Sequence, residues 1–162
     1  LLENFGGHTY AAGLSLKEEN LDAFTQRFLK LAADEIIPEQ MTPQIDIDAV
    51  LDLQDINAKF MSELKKMNPF GPDNQKPVFC SLGVKDYGTS KLVGKDLVHI
   101  KLELIDDKSN TPIHGIAFGM HQHNTHIKNM KPFNICYTIE ENTYNGNTSL
   151  QLMVKDIKEN DI

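Results

Sequence analysis

Tryptophan is absent from the 162 residues, arginine occurs once (Arg27), and cysteine occurs twice. Cys80 and Cys136 both lie inside apolar, strand-like runs where a buried thiol is the usual occupant, so neither a disulfide framework nor a cysteine zinc site is expected. No apolar stretch approaches the roughly 20 residues that a membrane span requires. The opening Leu1-Leu2-Glu3-Asn4-Phe5 lacks the basic and long apolar regions of a secretory leader, which predicts a cytoplasmic protein with no membrane partner. An initiator methionine is lacking too, and the chain runs at once into a glycine-rich motif, so it reads as cut from something longer. What is present suffices for a fold. Hydrophobic residues make up 40%, enough for the core of one domain, or of a small domain with an appended piece of another.

The formal charge of −7 argues at first against nucleic acid, because phosphate binding draws on Lys and Arg. Its distribution alters that inference. Residues 1–60 hold eleven acids against four bases, which accounts for the whole excess, and the remainder is neutral. Between positions 64 and 101, Lys65, Lys66, Lys76, Lys85, Lys91, Lys95 and Lys101 face only Asp73, Asp86 and Asp96. A solvated surface and an anion-binding face both fit this cluster.

Ser15-Leu16-Lys17-Glu18 has the capping-box form and predicts a helix start. Leu21, Phe24, Phe28, Leu31 and Ile36 then recur at helical spacing until Pro38, an amphipathic helix of about five turns whose apolar stripe needs a partner surface. Residues 38–44 read as a linker. Ile45, Ile47, Ala49, Leu51 and Leu53 alternate with mostly acidic positions as a strand does, and Asp55 is a plausible N-cap for a short helix carrying Ile56, Phe60, Leu64 and Met67. From Pro77 on, β-type runs dominate: 78–87, 90–93, 97–105, 113–118, 133–140 and 149–157. Asp106 to Asn110 and Tyr144-Asn145-Gly146-Asn147 supply hairpin turns. Strands of this number and spacing predict a small antiparallel barrel, which removes exposed edges.

The densest chemical signal is Phe5-Gly6-Gly7-His8-Thr9-Tyr10-Ala11-Ala12-Gly13. Glycines allow successive amides to point at an anion, His8 offers a ring donor, and small Ala11 and Ala12 permit close packing, so the segment can be a phosphate cradle. A tight turn before a helix, with His8 bonded locally, fits the same residues. His121, His123 and His126 form an HxHxxH cluster with no carboxylate or cysteine close in sequence, and read as a surface cluster rather than a metal site. Asp46 and Asp48 lack a His partner and read as a solvated face.

Gly6-Gly7-His8, two residues, then Ala11-Ala12-Gly13 resembles the GGHxxAAG motif of the DHH-associated domain of DHH-family phosphoesterases. Asn68-Pro69-Phe70-Gly71 with Lys76-Pro77-Val78-Phe79, Lys91 to Lys95 with His99 to Leu102, Gly115 to Phe118, and Tyr144 to Gln151 resemble, in order, the connector, strands and last hairpin of the RecJ OB domain. The resemblance implies an α+β chain: residues 1–44 as the end of the DHH-associated domain, with a glycine loop and long helix, and residues 45–162 as an OB-like barrel with a short helix. It implies a parent enzyme of DNA repair and recombination that degrades single-stranded DNA from its 5′ end. That enzyme would use Mn2+ or Mg2+ held in a DHH domain whose Asp-His-His triplet does not occur here, so this chain carries no catalytic residue and no metal.

Within the implied scheme Gly6, Gly7 and His8, with Ala11, Ala12 and Gly13, position the phosphate or strand. Lys85, Lys91, Lys95, His99 and Lys101 follow the backbone of the single strand. Tyr87, Tyr144 and Phe70 are either stacking rings or packed residues. Expected partners are single-stranded DNA, the N-terminal DHH domain, and a single-strand-binding protein or helicase. A docking module whose barrel recruits a protein, and a small-nucleotide phosphodiesterase, are the rival readings.

Overall fold

In the stretch His99–Ile105 the residues Ile100, Leu102 and Leu104 alternate with His99, Lys101 and Glu103. In the computed structural model the first three are fully buried and this stretch is a strand, as period-two patterning requires. The structure describes residues 1–109 and 111–159, without the side chain of Tyr144. Two compact units result, Leu1–Ile45 and a second beginning at Asp46.

The second unit contains β3 (Ala49–Val50), α2 (Ala58–Lys65), β4 (Phe79–Asp86), β5 (Lys91–Val93), β6 (His99–Ile105), β7 (Ile113–Ala117), α3 (Asn124–Lys128), β8 (Phe133–Tyr144) and β9 (Asn147–Glu159). The strand order is β3-β4-β8-β9-β7-β6-β5, and a further pairing of β4 with β6 joins the run into a five-stranded ring. β6 meets β4 at Ile105 and Leu104 and meets β5 at Lys101, Ile100 and His99, so β4 and β5 act as one interrupted edge along β6. The ring is not purely antiparallel: β7 and β9 run parallel, as do β3 and β4. The parallel contact follows from the α3 crossover and the β8–β9 hairpin, which return the chain beside β7 in the same direction. This is an OB-like α+β fold.

Val84, Ile100, Leu102, Leu104, Phe133, Ile139 and Leu152 are buried at 0–1% exposure inside the ring. Each such side chain contributes on the order of 1.5–3 kcal/mol when removed from water. Ile127 of α3, also at 0%, joins the same core. α2 begins at Asn57 rather than Asp55, because the Asn57 side chain accepts hydrogen bonds from the Lys59 and Phe60 amides. Its Phe60 packs edge-on to Phe79 at 5.5 Å. The alternation over residues 45–53 yields only the two residues of β3: Leu53–Asp55 form a 3-10 turn instead, with the Leu53 amide held by the Asp106 carboxylate at 2.8 Å. Asp48 is not merely solvated, since its carboxylate accepts the Val78 amide at 2.8 Å.

Where β8 turns into β9, Asn145 and Gly146 both take left-handed φ angles of 50° and 79°, as a type I′ hairpin demands. Cys80 and Cys136 are free, buried and directly opposite in the β4–β8 register, and burial pushes both thiols above their ordinary range.

The first unit differs from the expected loop and long helix. β1 (Leu2–His8) and β2 (Ala11–Leu16) form a two-stranded hairpin, and the helix α1 (Leu21–Glu35) starts six residues after Ser15. Ser15 lies in β2 opposite Asn4, because Leu14 and Leu16 pair with Phe5 and Leu2 and this apolar pairing outcompetes the capping box. No residue of α1 is buried: Phe28 and Leu31 remain 57% and 56% exposed.

One buried polar chain fastens β3 to the barrel. The Ser81 hydroxyl donates to the Leu51 carbonyl at 2.7 Å and lies 2.7 Å from the Tyr137 hydroxyl, whose proton is held far above its usual range by burial. Ser81→Ala strands the Tyr137 hydroxyl and frees the Leu51 carbonyl, and is expected to cost about 1–3 kcal/mol. Tyr137→Phe leaves the Ser81–Leu51 bond intact and is expected to cost less; urea denaturation of the two variants checks the order.

Candidate nucleic-acid interface

With Ile100, Leu102 and Leu104 turned inward, their neighbours on β6 must face out. The register extends this outer row across the strands: Lys91 lies opposite Lys101, Val93 opposite His99, Lys101 opposite Ile116, and Glu103 opposite His114. Lys91 and Lys101 are thus directly cross-strand, an arrangement of like charges that destabilises a sheet. Among the described residues neither side chain has a hydrogen bond or ion pair, and the Lys95 side chain at the β5–β6 turn has none either. Three exposed ammonium groups without counter-charges therefore share one region of the barrel surface.

The other expected contacts separate from this group. Lys85 pairs with Asp107 at 3.2 Å on the closing rung of the ring. His99 is held as an acceptor, its Nδ1 taking the Gly119 amide at 3.0 Å, so its ring proton sits on Nε2. The ring also lies over Gly94, where a Cβ would come within 3.0 Å of His99 Cδ2 and where φ is +91°. Phe70 packs against the core, whereas Tyr87 is half exposed, and the Tyr144 side chain lies outside the described residues. The cationic row ends at Glu103, which accepts from Thr89 Oγ1 at 2.5 Å and lies 3.6 Å from His114 Nδ1.

Phe118 was not marked by the sequence, where it reads as the last residue of an apolar strand. It follows β7, stays 56% exposed, and meets the His99 ring edge to face with centroids 5.0 Å apart. Only the parity of its position relative to Ile116 and Lys101, both on the outer row, could have signalled this.

In the first unit the hairpin brings the motif residues together as cross-strand pairs, Gly6 with Gly13, Gly7 with Ala12 and His8 with Ala11. None of these glycines has a left-handed φ, and the motif lies in a two-stranded hairpin instead of a glycine loop. Gly7 is there for close approach: a Cβ would sit 3.0 Å from the Ala11 carbonyl and from Ala12 Cβ. His8 is exposed.

The histidine cluster does find a carboxylate. Glu159 binds His123 Nδ1 at 2.8 Å and His126 Nδ1 at 3.2 Å, while His126 Nε2 faces the Pro132 carbonyl at 3.2 Å, so the trio fastens α3 to the end of β9. Among the described residues no group of three His, Cys, Asp or Glu is arranged to hold a metal ion. No helix among them is long and apolar enough to cross a membrane.

A family model described as the RecJ OB domain matches residues 47–156. The single-stranded-DNA-specific exonuclease RecJ of Salmonella typhimurium is 28% identical over 160 residues, covering 97% of this chain and 26% of the relative. The protein of the same name from Bacillus subtilis is 28% identical over 157 residues, covering 96% and 20%. The crystal structure of RecJ in complex with Mn2+ from Thermus thermophilus superposes with a TM-score of 0.75 at 20% identity, over 100% of this chain and 22% of that one. The chain thus spans about a quarter or less of the length of these three proteins.

Replacing Lys101 by Glu converts the Lys91–Lys101 repulsion into an attraction and is expected to raise stability by about 0.2–1 kcal/mol. An unchanged or lowered urea midpoint would show that the two ammonium groups already avoid each other.

Proposed function

The chain belongs to the RecJ OB domain family, and on that premise we propose that the outer face of its barrel holds single-stranded DNA for a parent exonuclease. The observation that carries this is the unpaired Lys91, Lys95 and Lys101 on one side of the ring, two of them directly cross-strand. A sheet that keeps like charges opposed and uncompensated gains from an anionic ligand, and a phosphate backbone running across β5 and β6 supplies one. OB barrels grip single strands with such a cationic groove. Residues 45–162 are net negative by three, but the charge is uneven, and between positions 64 and 101 seven lysines face three aspartates.

In the parent protein the hydrolytic step belongs to the DHH domain. There Mn2+ or Mg2+ would activate water and stabilise the attacking and leaving oxygens at the 5′ end of the strand. The described residues of this chain do not fit such a centre. Residues 1–44 are the end of the DHH-associated domain, with Gly6, Gly7 and His8 directed at the strand near the cut and Ala11, Ala12 and Gly13 permitting close approach. The apolar stripe of α1, with Phe24, Phe28 and Leu31, is covered by the rest of that domain. Residues 45–162 are the strand-holding module. Partners that deliver or unwind the strand, a single-strand-binding protein or a helicase, fit a repair and recombination role.

Fluorescence polarisation with a labelled single strand of about 15 nucleotides, matched to OB site sizes, tests the reading. Tight, salt-sensitive binding at low salt with preference over the duplex is expected, and no cleavage of the strand with Mn2+ or Mg2+ added. Each single-strand phosphate contact contributes about 0.7 to the log–log salt slope, so the combined Lys91, Lys95 and Lys101 to Ala variant should flatten it by about two. Absence of binding at low salt would hand the lead to the protein-docking reading.

A further inference from the structure

A phenylalanine ring left more than half exposed beside an unpaired cationic row forgoes the burial that is its usual use. We propose that Phe118 is a base-stacking platform of the single-strand site and that His99 is the residue that positions it; this rests on the reading of the barrel face as a single-strand site.

The geometry supports both roles. The His99 and Phe118 planes are inclined at 77°, an edge-to-face contact, so whichever ring presents its edge, at least one face of Phe118 is left uncovered by His99. The imidazole is itself fixed from two sides. Its Nδ1 accepts the Gly119 amide immediately after Phe118, which ties the ring to the same turn that carries the platform. Its Cδ2 edge occupies the space over Gly94, where a side chain would sit 3.0 Å away. Gly94 therefore serves two ends, the left-handed turn between β5 and β6 and the seat for the imidazole. His99 also lies two residues before Lys101 on the outer row, opposite Val93, so platform and cations adjoin.

A strand whose phosphates meet Lys91 and Lys101 can lay a neighbouring base on Phe118. Stacking uses the face that every base has, so the site takes single strands without sequence preference and discriminates against duplexes, whose bases are already stacked. His99 is a positioning residue here, because its Nδ1 accepts the Gly119 amide and its ring meets Phe118.

The chain contains no tryptophan, so Phe118→Trp places a single indole at the platform and makes stacking directly visible. The expected result is that an oligothymidylate quenches this fluorescence at an affinity near that of the unsubstituted chain, while an abasic oligomer of equal length and charge leaves it unchanged. Phe118→Ala should weaken oligothymidylate binding by roughly tenfold or more and should bind the abasic strand as the unsubstituted chain does. His99→Ala and Gly94→Ala should lose the preference for thymidylate over the abasic strand while keeping the salt slope, a pattern that general loss of structure would not produce; circular dichroism confirms the fold of each. Phe118→Ala binding like the unsubstituted chain, with the three-lysine variant impaired, overturns the platform and leaves the single-strand reading standing. No binding by the unsubstituted chain at low salt overturns both.

Discussion

Closure of the ring at two rungs, Lys85 with Ile105 and Asp86 with Leu104, is the constraint on which the rest of the barrel depends. β4 must pair with β8 along its first half and with β6 at its end, and it manages this by breaking register between Ser81 and Val84, where the Gly83 amide is taken by the Asn134 side chain at 2.9 Å. Without those rungs β6 would present an open edge and Leu104 would lose the strand that covers it. Asp86, 1% exposed on the closing rung, receives the Ser90 amide at 3.1 Å and Lys128 at 3.7 Å, so its charge is compensated from the next loop and from α3. Closure, the 87–90 interruption and the α3 crossover are therefore linked through one carboxylate.

The same closure decides which side chains are available for chemistry. Once Ile100, Leu102 and Leu104 are committed inward, Lys101 can only face out, and the β5–β6 register then sets it opposite Lys91 whatever the electrostatic cost. That cost is a few tenths of a kcal/mol up to about 1 kcal/mol, small against a core whose members each contribute on the order of 1.5–3 kcal/mol. A closed barrel can thus tolerate an uncompensated cationic face, and retaining one is informative because any acidic neighbour at position 91 would have removed it.

Period-two alternation made the barrel strands legible, since a slip of one residue would have exposed Ile100, Leu102 and Leu104, and the Asn145-Gly146 turn was legible because few residue pairs accept two left-handed angles. The elements misread were those where two local signals competed. Ser15-Leu16-Lys17-Glu18 offers a capping box, yet the cross-strand pairing of Leu14 with Phe5 prevails, a contact invisible to a local pattern. Asp55 and Asn57 are both acceptable N-caps, and the choice follows from the 3-10 turn imposed when Asp106, 53 positions away, takes the Leu53 amide. Glu159 reaches His123 and His126 only through the fold, and Phe118 reads as a strand terminus until its neighbours are known. Lys91, Lys95 and Lys101 were legible as a charge cluster; their lack of counter-ions was not, because Lys85, similar in sequence context, turns out to be paired.

The difference between Lys85 and Lys101 shows how function is separated from structure on one surface. Lys85 lies on the closing rung, where its ammonium meets Asp107, so its charge is consumed within the barrel. Lys101 lies four residues before Ile105 on β6, beyond the interruption at 87–90, where the facing edge is β5 and brings a lysine instead of an acid. The interruption thus divides β6 into a half that completes the barrel and a half whose outer surface is free to meet a ligand. His99 belongs to the second half, and its side chain takes its hydrogen bond from the Gly119 amide in the turn after β7, outside the barrel ladder.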